Sequence, residues 1–236
     1  MRAVITFAVQ SETGNWRVAP RYRENIHIIR TGIGMRGPQD ELQQALSGPI
    51  DFCIASGLAG SLKLQYPVGS VLVARGIKSE GSPTIVPCDG GLVDAAVRSG
   101  ATAVNFFYTS SAIANAEAER TKLAGVADAV DMESYHVLSA ARHAGVAAVA
   151  VRVVSDSPDR KLPLDFSRTV TRDGQIAWRR MIGEIIRHPG RLPAFVRFGI
   201  DSSEAIRNLS TFLDRYINFL MMNKISVPAR VEHSTR

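Results

Sequence analysis

Short β-rich runs alternate with helical patterns through the first 155 residues. Val4–Ala8, Ile26–Ile29, Phe52–Ala55, Ser70–Ala74, Val104–Tyr108 and Ala147–Val154 read as strands, several of them apolar on both faces. A strand without a polar face belongs in a sheet covered on both sides. Between these runs, Gln39–Leu46, Leu92–Arg98, Ala116–Leu123 and Glu133–His143 carry helix-favouring composition and apolar spacing. Gly145 follows the last of them, as a helix-ending glycine should. The alternation predicts an α/β fold in three layers, with a central mixed, mostly parallel sheet flanked by helices.

After Pro158 the texture changes. Gln175–Arg187 has a helical pattern, and His188-Pro189-Gly190 breaks it. Ser203–Asn223 predicts a second helix, with Ile206, Leu209, Leu213, Tyr216, Ile217 and Leu220 on one stripe and Asp201 or Ser202 as its N-cap. A stripe this regular is expected to pack on the α/β core or on a second subunit. Residues 227–236 are polar and expected to fray. The organisation that follows is an α/β core over residues 1–160. A basic helical extension over 161–236 completes or flanks the same domain, which 236 residues accommodate.

Charge sharpens that division. Residues 1–159 hold 14 Lys and Arg against 15 Asp and Glu, whereas residues 160–236 hold 14 against 7. The whole +6 excess therefore sits in the last third. A localised basic excess suits an anionic partner, a lipid surface or nucleic acid, and equally a solvated face. The tail lacks the aromatic interleaving of a single-strand binder, so no nucleic-acid partner is expected. The apolar run Ala3–Val9 is too short and too poorly flanked for a secretion signal, and no stretch approaches the ~20 apolar residues that span a bilayer. Cys53 and Cys88 match no metal or redox spacing. A cytoplasmic protein is expected, with neither metal nor cofactor, since no His, Cys and acid cluster has ligand spacing.

Informative polar residues fall at strand ends, where open α/β sheets bind ligands. Strand one runs into Gln10-Ser11-Glu12, the Phe52 strand into a glycine-rich loop, Ser56-Gly57-Leu58-Ala59-Gly60-Ser61, and the Ala147 strand into Ser155-Asp156. Ala129-Val130-Asp131-Met132-Glu133-Ser134 opens a helix, and Val149-Ala150-Val151-Arg152-Val153-Val154-Ser155-Asp156 closes the next strand. Together these two segments resemble the nucleoside phosphorylase and nucleosidase superfamily, which includes purine nucleoside phosphorylase and methylthioadenosine/S-adenosylhomocysteine nucleosidase. The glycine-rich segment, the following Val68–Val73, and the turn Thr31-Gly32-Ile33-Gly34 are also similar to that superfamily. The resemblance covers about residues 1–160.

Breaking a ribosyl–purine bond passes through a sugar with oxocarbenium character while negative charge gathers on the departing base. The site must grip the ribose, protonate the base and supply a nucleophile. By the resemblance, Glu133 accepts the ribose hydroxyls with Met132 packed against the sugar. Taken alone, Glu133 is also an ordinary helix-start acid. Asp156 would deliver a proton to purine N7, and it also suits a turn before Ser157-Pro158. Glu12 sits where the nucleosidase branch carries the acid that activates water, although that branch usually has several acids there. The phosphorylase pattern, a Gly-Asp-Pro-x-Arg loop and an arginine before the glycine-rich segment, is not present. Hydrolysis is therefore expected, with Arg17, Arg21, Arg23 and Arg36 as the residues able to supply a phosphate clamp instead. Gly57, Ala59, Gly60, Ile113, Ala114 and Ser155 would form the backbone cradle for the purine, Ile113 replacing a common aromatic.

Arg187-His188-Pro189-Gly190-Arg191-Leu192-Pro193-Ala194-Phe195 resembles the hopanoid-biosynthesis-associated branch. That implies release of adenine from adenosylhopane, a lipid-linked adenosine, and an extension able to touch the inner membrane face. The superfamily's habit implies a homo-oligomer. The rivals are phosphorolytic cleavage and a nucleoside-binding protein without turnover.

Overall fold

In the computed structural model, residues 1–14, 16–35, 37, 39–111, 117–159 and 192–223 are described. The strands are β1 (Ala3–Phe7), β2 (Ile26–Arg30), β3 (Phe52–Ser61), β4 (Val71–Ser79), β5 (Ser82–Pro87), β6 (Thr102–Thr109), β7 (Ala129–Asp131) and β8 (Ala147–Asp156). The helices are a single turn α1 (Gln10–Thr13), then α2 (Gln39–Ser47), α3 (Gly90–Arg98), α4 (Glu117–Ala124), α5 (Ser134–His143) and α6 (Leu192–Asn223).

The eight strands form one mixed sheet. β3 pairs in parallel with β1 and β8, and β6 pairs in parallel with β4 and β7. The antiparallel contacts β3–β7 and β4–β8 close β3, β8, β4, β6 and β7 into a ring. β2 extends the sheet beyond β1, and β5 extends it beyond β4. Strands of this kind must be apolar on both sides. Ala3, Ile5, Phe7, Phe52, Ile54, Val149, Val151 and Val153 pack with α3 and α6, and their alternates Val4, Cys53, Ala55, Ala148, Ala150 and Val154 pack with α2 and α5. These are the three layers, and the period of two along each strand builds them.

Several sequence expectations change. Ser56–Ser61 is not a loop but the second half of β3: Ser56, Gly57 and Leu58 register with Val151, Arg152 and Val153, while Gly60 and Ser61 pair with β7. Two neighbouring strands satisfy its backbone, which outweighs the glycines' preference for turns. β5 and β7 are strands that the hydrophobic pattern does not predict. β5 carries Pro83 and Pro87 and sits on an edge, where proline is tolerated. β7 has only three residues, too few to show a period.

The helix expected at Ser203–Asn223 begins instead at Leu192, so Asp201 and Ser202 lie inside it rather than at its N-cap. Pro193 stands in its first turn, a position that needs no backbone N–H. Ala205, Leu209, Phe212, Leu213, Tyr216, Ile217 and Leu220 are buried against the sheet and α3, so the apolar stripe is spent on this chain's own core. The Tyr216 hydroxyl donates to the Leu92 carbonyl at 2.8 Å and ties α6 to α3. The stretches 175–187 and 227–236 lie outside the described residues. Among the described residues, no helix is long and apolar enough to cross a membrane.

Candidate active site

Glu12 stands on α1, immediately past β1. It is the third residue of the turn, and its carboxylate reaches back to the N–H of Ala8 at 2.7 Å and of Val9 at 3.4 Å, as a capping acid does. Its other oxygen accepts from the Leu58 N–H at 3.0 Å, tying it to β3. Burial lifts the Glu12 carboxyl above its ordinary 4.5, against the opposing pull of Arg152 and the three backbone donors.

Gly57 is the β3 residue beside this acid. A Cβ there would lie 2.5 Å from Arg152 Nη1 and 2.9 Å from each Glu12 oxygen, and its φ is +145°. Only glycine lets the backbone run between the guanidinium and the carboxylate.

Arg152 organises this end of the site. Its side chain is 1% exposed, on the β8 face turned toward α5. Nε meets Asp131 Oδ2 at 2.9 Å, Nη2 meets Glu133 Oε2 at 3.5 Å, and Nη1 donates to the Ser56 carbonyl at 3.1 Å. Nε and Nη2 also donate to Ser134 Oγ at 3.2 and 3.1 Å. Burial works against the cation, and the charges of Asp131, Glu133 and Glu12 more than offset it. Asp131 is the acid that meets the helix start, accepting from the Ser134 N–H at 3.3 Å and from Thr109 Oγ1 at 2.7 Å.

Glu133 is the N-cap of α5 but makes no side-chain cap hydrogen bond. Its carboxylate leaves the helix and accepts from the Gly34 N–H at 2.9 Å. Burial, then the nearby charges of Asp131 and Glu12, push it up to about 8 despite Arg152. Gly34 has φ +63°, which the turn needs in order to present that N–H. A Cβ on Gly34 would touch the Met132 methyl at 3.5 Å, so Met132 flanks the same space.

Asp156 stands apart from this cluster, at the end of β8. Ser155 Oγ donates to its Oδ1 at 2.8 Å and to the Ala59 carbonyl at 3.3 Å. Arg120, on α4, donates from Nη2 to Asp156 Oδ2 at 2.5 Å and from Nη1 to the Ser157 carbonyl at 3.1 Å. A Cβ on Gly60 would sit 3.0 Å from Asp156 Oδ2 and 3.4 Å from Arg120 Nη2. The two groups thus lie along one stretch of β3, Glu12 and Arg152 at Gly57, Asp156 and Arg120 at Gly60. Gly57 and Gly60 are three steps apart along the strand, about 10 Å.

Glu12 and Glu133 therefore come together around one guanidinium, with Met132 beside them, while Asp156, Ser155, Ala59 and Gly60 form a second group. Ile113 and Ala114 lie outside the described residues. Of the arginines considered for phosphate, Arg17 donates to the Trp16 carbonyl at 2.8 Å and Arg21 to Asn218 of α6 at 3.0 Å; both line a groove against α6. Arg23 is exposed and Arg36 lies outside the described residues. Arg152, Asp131, Gly34 and Arg120 had no assigned role from sequence. Arg152 carried a signal, because a charge within the apolar run Val149–Val154 must find buried partners.

A family model described as Phosphorylase superfamily matches residues 12–187, a span containing all of these groups. The chain belongs to the Phosphorylase superfamily. It is an enzyme of the nucleoside phosphorylase and nucleosidase class that its motifs resemble. Solved structures agree in fold. A futalosine hydrolase of Helicobacter pylori superposes with TM-score 0.64 at 13% identity, covering 92% of this chain and 97% of that one. A 5′-methylthioadenosine/S-adenosylhomocysteine nucleosidase from Colwellia psychrerythraea, in complex with adenine, gives TM-score 0.63 at 15% identity over 93% and 96%. The corresponding Neisseria meningitidis nucleosidase, bound to methylthio-immucillin-A, gives 0.61 at 18% over 91% and 97%. A search of curated proteins finds no match.

Proposed function

We propose that this enzyme hydrolyses the N-glycosidic bond of an adenine nucleoside and releases adenine. Glu12 is the base. Its oxygens are held by backbone N–H groups, and burial brings its carboxyl toward the range in which it takes a proton from water. That water attacks the anomeric carbon as the bond to N9 breaks and its electron pair passes to the purine. Glu133 receives the ribose hydroxyls with Met132 against the sugar, and Asp156, across the β3 stretch, gives the proton that N7 takes up. Glu12 and Asp131 outnumber the single Arg152 charge, Glu133 adds a further carboxyl beside them, and that surround suits a ribose developing positive charge.

One observation carries hydrolysis over phosphorolysis. The guanidinium beside Glu12 is already shared among Asp131, Glu133 and Glu12, and Arg17 and Arg21 are turned to α6. A phosphate dianion would meet carboxylates there and a cation engaged elsewhere. The hydrolase and nucleosidases of similar fold, one holding adenine, support the same reading. Adenine release should proceed at one rate whether phosphate is absent or abundant; a strict need for phosphate would reverse the assignment.

The natural substrate we infer is a lipid-linked adenosine, adenosylhopane, from the resemblance of 187–195 to the hopanoid-associated branch. Val196 and Ile200, 56% and 58% exposed on the first half of α6, support contact between that segment and a membrane surface. Parallel incubation with adenosylhopane and methylthioadenosine tests this, and preference for methylthioadenosine would remove it.

A further inference from the structure

Arg17 and Arg21 face a cavity, but not the catalytic one. After Glu12 the chain turns back along α6. Gly14 lies against Ile206, the Trp16 indole donates to Asp214 Oδ1 at 2.8 Å, and Arg21 and the Tyr22 hydroxyl both donate to Asn218 Oδ1 at 3.0 Å. Ile206 to Asn218 is about 18 Å of helix, so the segment leaves the Glu12 turn behind. Between this segment and α6 lies a groove of about 440 Å³, lined by Arg17, Arg21 and Arg215 with Asp214 as its one acid.

Arg17 Nη1 donates to the Trp16 carbonyl at 2.8 Å, and the Arg21 guanidinium lies 5.0 Å from the centre of the Tyr22 ring. Carbonyls, an amide oxygen and a ring face hold these guanidinia in place without cancelling their charge. Arg215 lines the groove from α6, its Nη2 near Gly100. Among the described residues, none of the three arginines is within ion-pair reach of a carboxylate.

We propose that this groove is a binding site for an organic phosphate monoester, separate from the catalytic cluster. Three guanidinia against one carboxylate leave two positive charges in excess. A phosphate monoester, at about −1.5 to −2 near neutral pH, matches that excess. Among the described residues, Nε and Nη2 of Arg17 and Nε and Nη1 of Arg21 have no partner, and such donors suit phosphate oxygens. Val18, Ile217 and the Tyr22 ring offer an apolar wall to the organic part of the ester. The monoester comes from a soluble molecule or from a lipid headgroup. Glu12 and Arg152 meet at Gly57 of β3, away from this groove, so a phosphate bound here stays out of the reaction.

Calorimetric titration with glycerol 3-phosphate tests the site, and binding should weaken with added salt. Arg21→Met should reduce affinity about 3- to 10-fold, the worth of one partly exposed charged contact. Arg21→Lys should reduce it less, and Arg17→Glu combined with Arg21→Glu should abolish it. Glu12→Gln should leave it unchanged. Flotation with phosphatidylcholine vesicles, with and without phosphatidic acid, separates the two sources. Retention by phosphatidic acid that the double variant loses supports a lipid headgroup, and glycerol 3-phosphate binding without such retention supports a soluble ester. Neither binding nor retention would overturn the proposal, leaving nucleoside cleavage standing. Binding that the double variant keeps, or that Glu12→Gln alters, would overturn it too, because the anion would then sit elsewhere. Should the double variant not fold, Arg21→Met and Glu12→Gln decide on the same terms.

Discussion

Arg152 is the residue on which the ribose end of the site depends most. It is the buried cation that Asp131, Glu133 and Glu12 share, so Arg152→Met should leave buried acids unmatched. A loss of about 3–5 kcal/mol in urea unfolding is expected; a variant as stable as the parent would show that the network carries little. Glu133 sets a pH dependence of its own. Unfolded, its carboxyl titrates near the ordinary 4.5, and folded near 8, so between those values the folded state holds a proton that the unfolded state lacks. Its contribution to stability is greatest below the lower value and is lost as pH rises toward the upper one. Denaturant midpoints measured from pH 5 to 8 should therefore fall with a slope that Glu133→Gln flattens. The three acids stood out in the sequence because they end strands or open a helix next to recognisable motifs. Arg120 did not stand out, because an arginine in Glu117–Ala124 looks like any solvated helical charge until the fold sets it against Asp156.

At the scale of elements, β3 and α6 decide how the site is built. Gly57 places β3 between Glu12 and Arg152, and any side chain there meets both. Gly57→Ala should lose most turnover and cost about 1–3 kcal/mol from backbone strain alone, seen as a lowered thermal midpoint; full activity would mean that the strand can shift aside. The sequence showed the glycines but not the strand, because a period of two cannot be recognised across Ser56–Ser61 and the ladder comes from β7 and β8, distant along the chain. α6 was visible as a stripe, and its partner was not, since the same stripe serves a core, a subunit or a lipid surface. With Leu213 buried at 1% exposure, Leu213→Ala should destabilise the whole enzyme by about 2–5 kcal/mol in one cooperative transition. Loss of α6 signal ahead of the rest would instead make it an appendage.

For the whole molecule, the three layers follow from strands apolar on both faces, and that much was legible. The ring closure was not, because it depends on two antiparallel contacts, β3–β7 and β4–β8, that no local pattern encodes. Parallel pairing sets the β1 and β8 ends beside β3, and the closure brings β7 to the same stretch; the proposed reaction requires the acids at positions 12, 133 and 156 on these elements to serve one nucleoside. The division of labour among them is the central claim, and Glu12→Gln tests it most directly. In phosphate-free buffer the unmodified enzyme should release adenine from its nucleoside. Glu12→Gln should bind adenine with unchanged affinity and release it at least about a hundredfold more slowly, as expected on removal of a general base. Undiminished turnover in Glu12→Gln, or release that begins only when phosphate is added, would contradict the account.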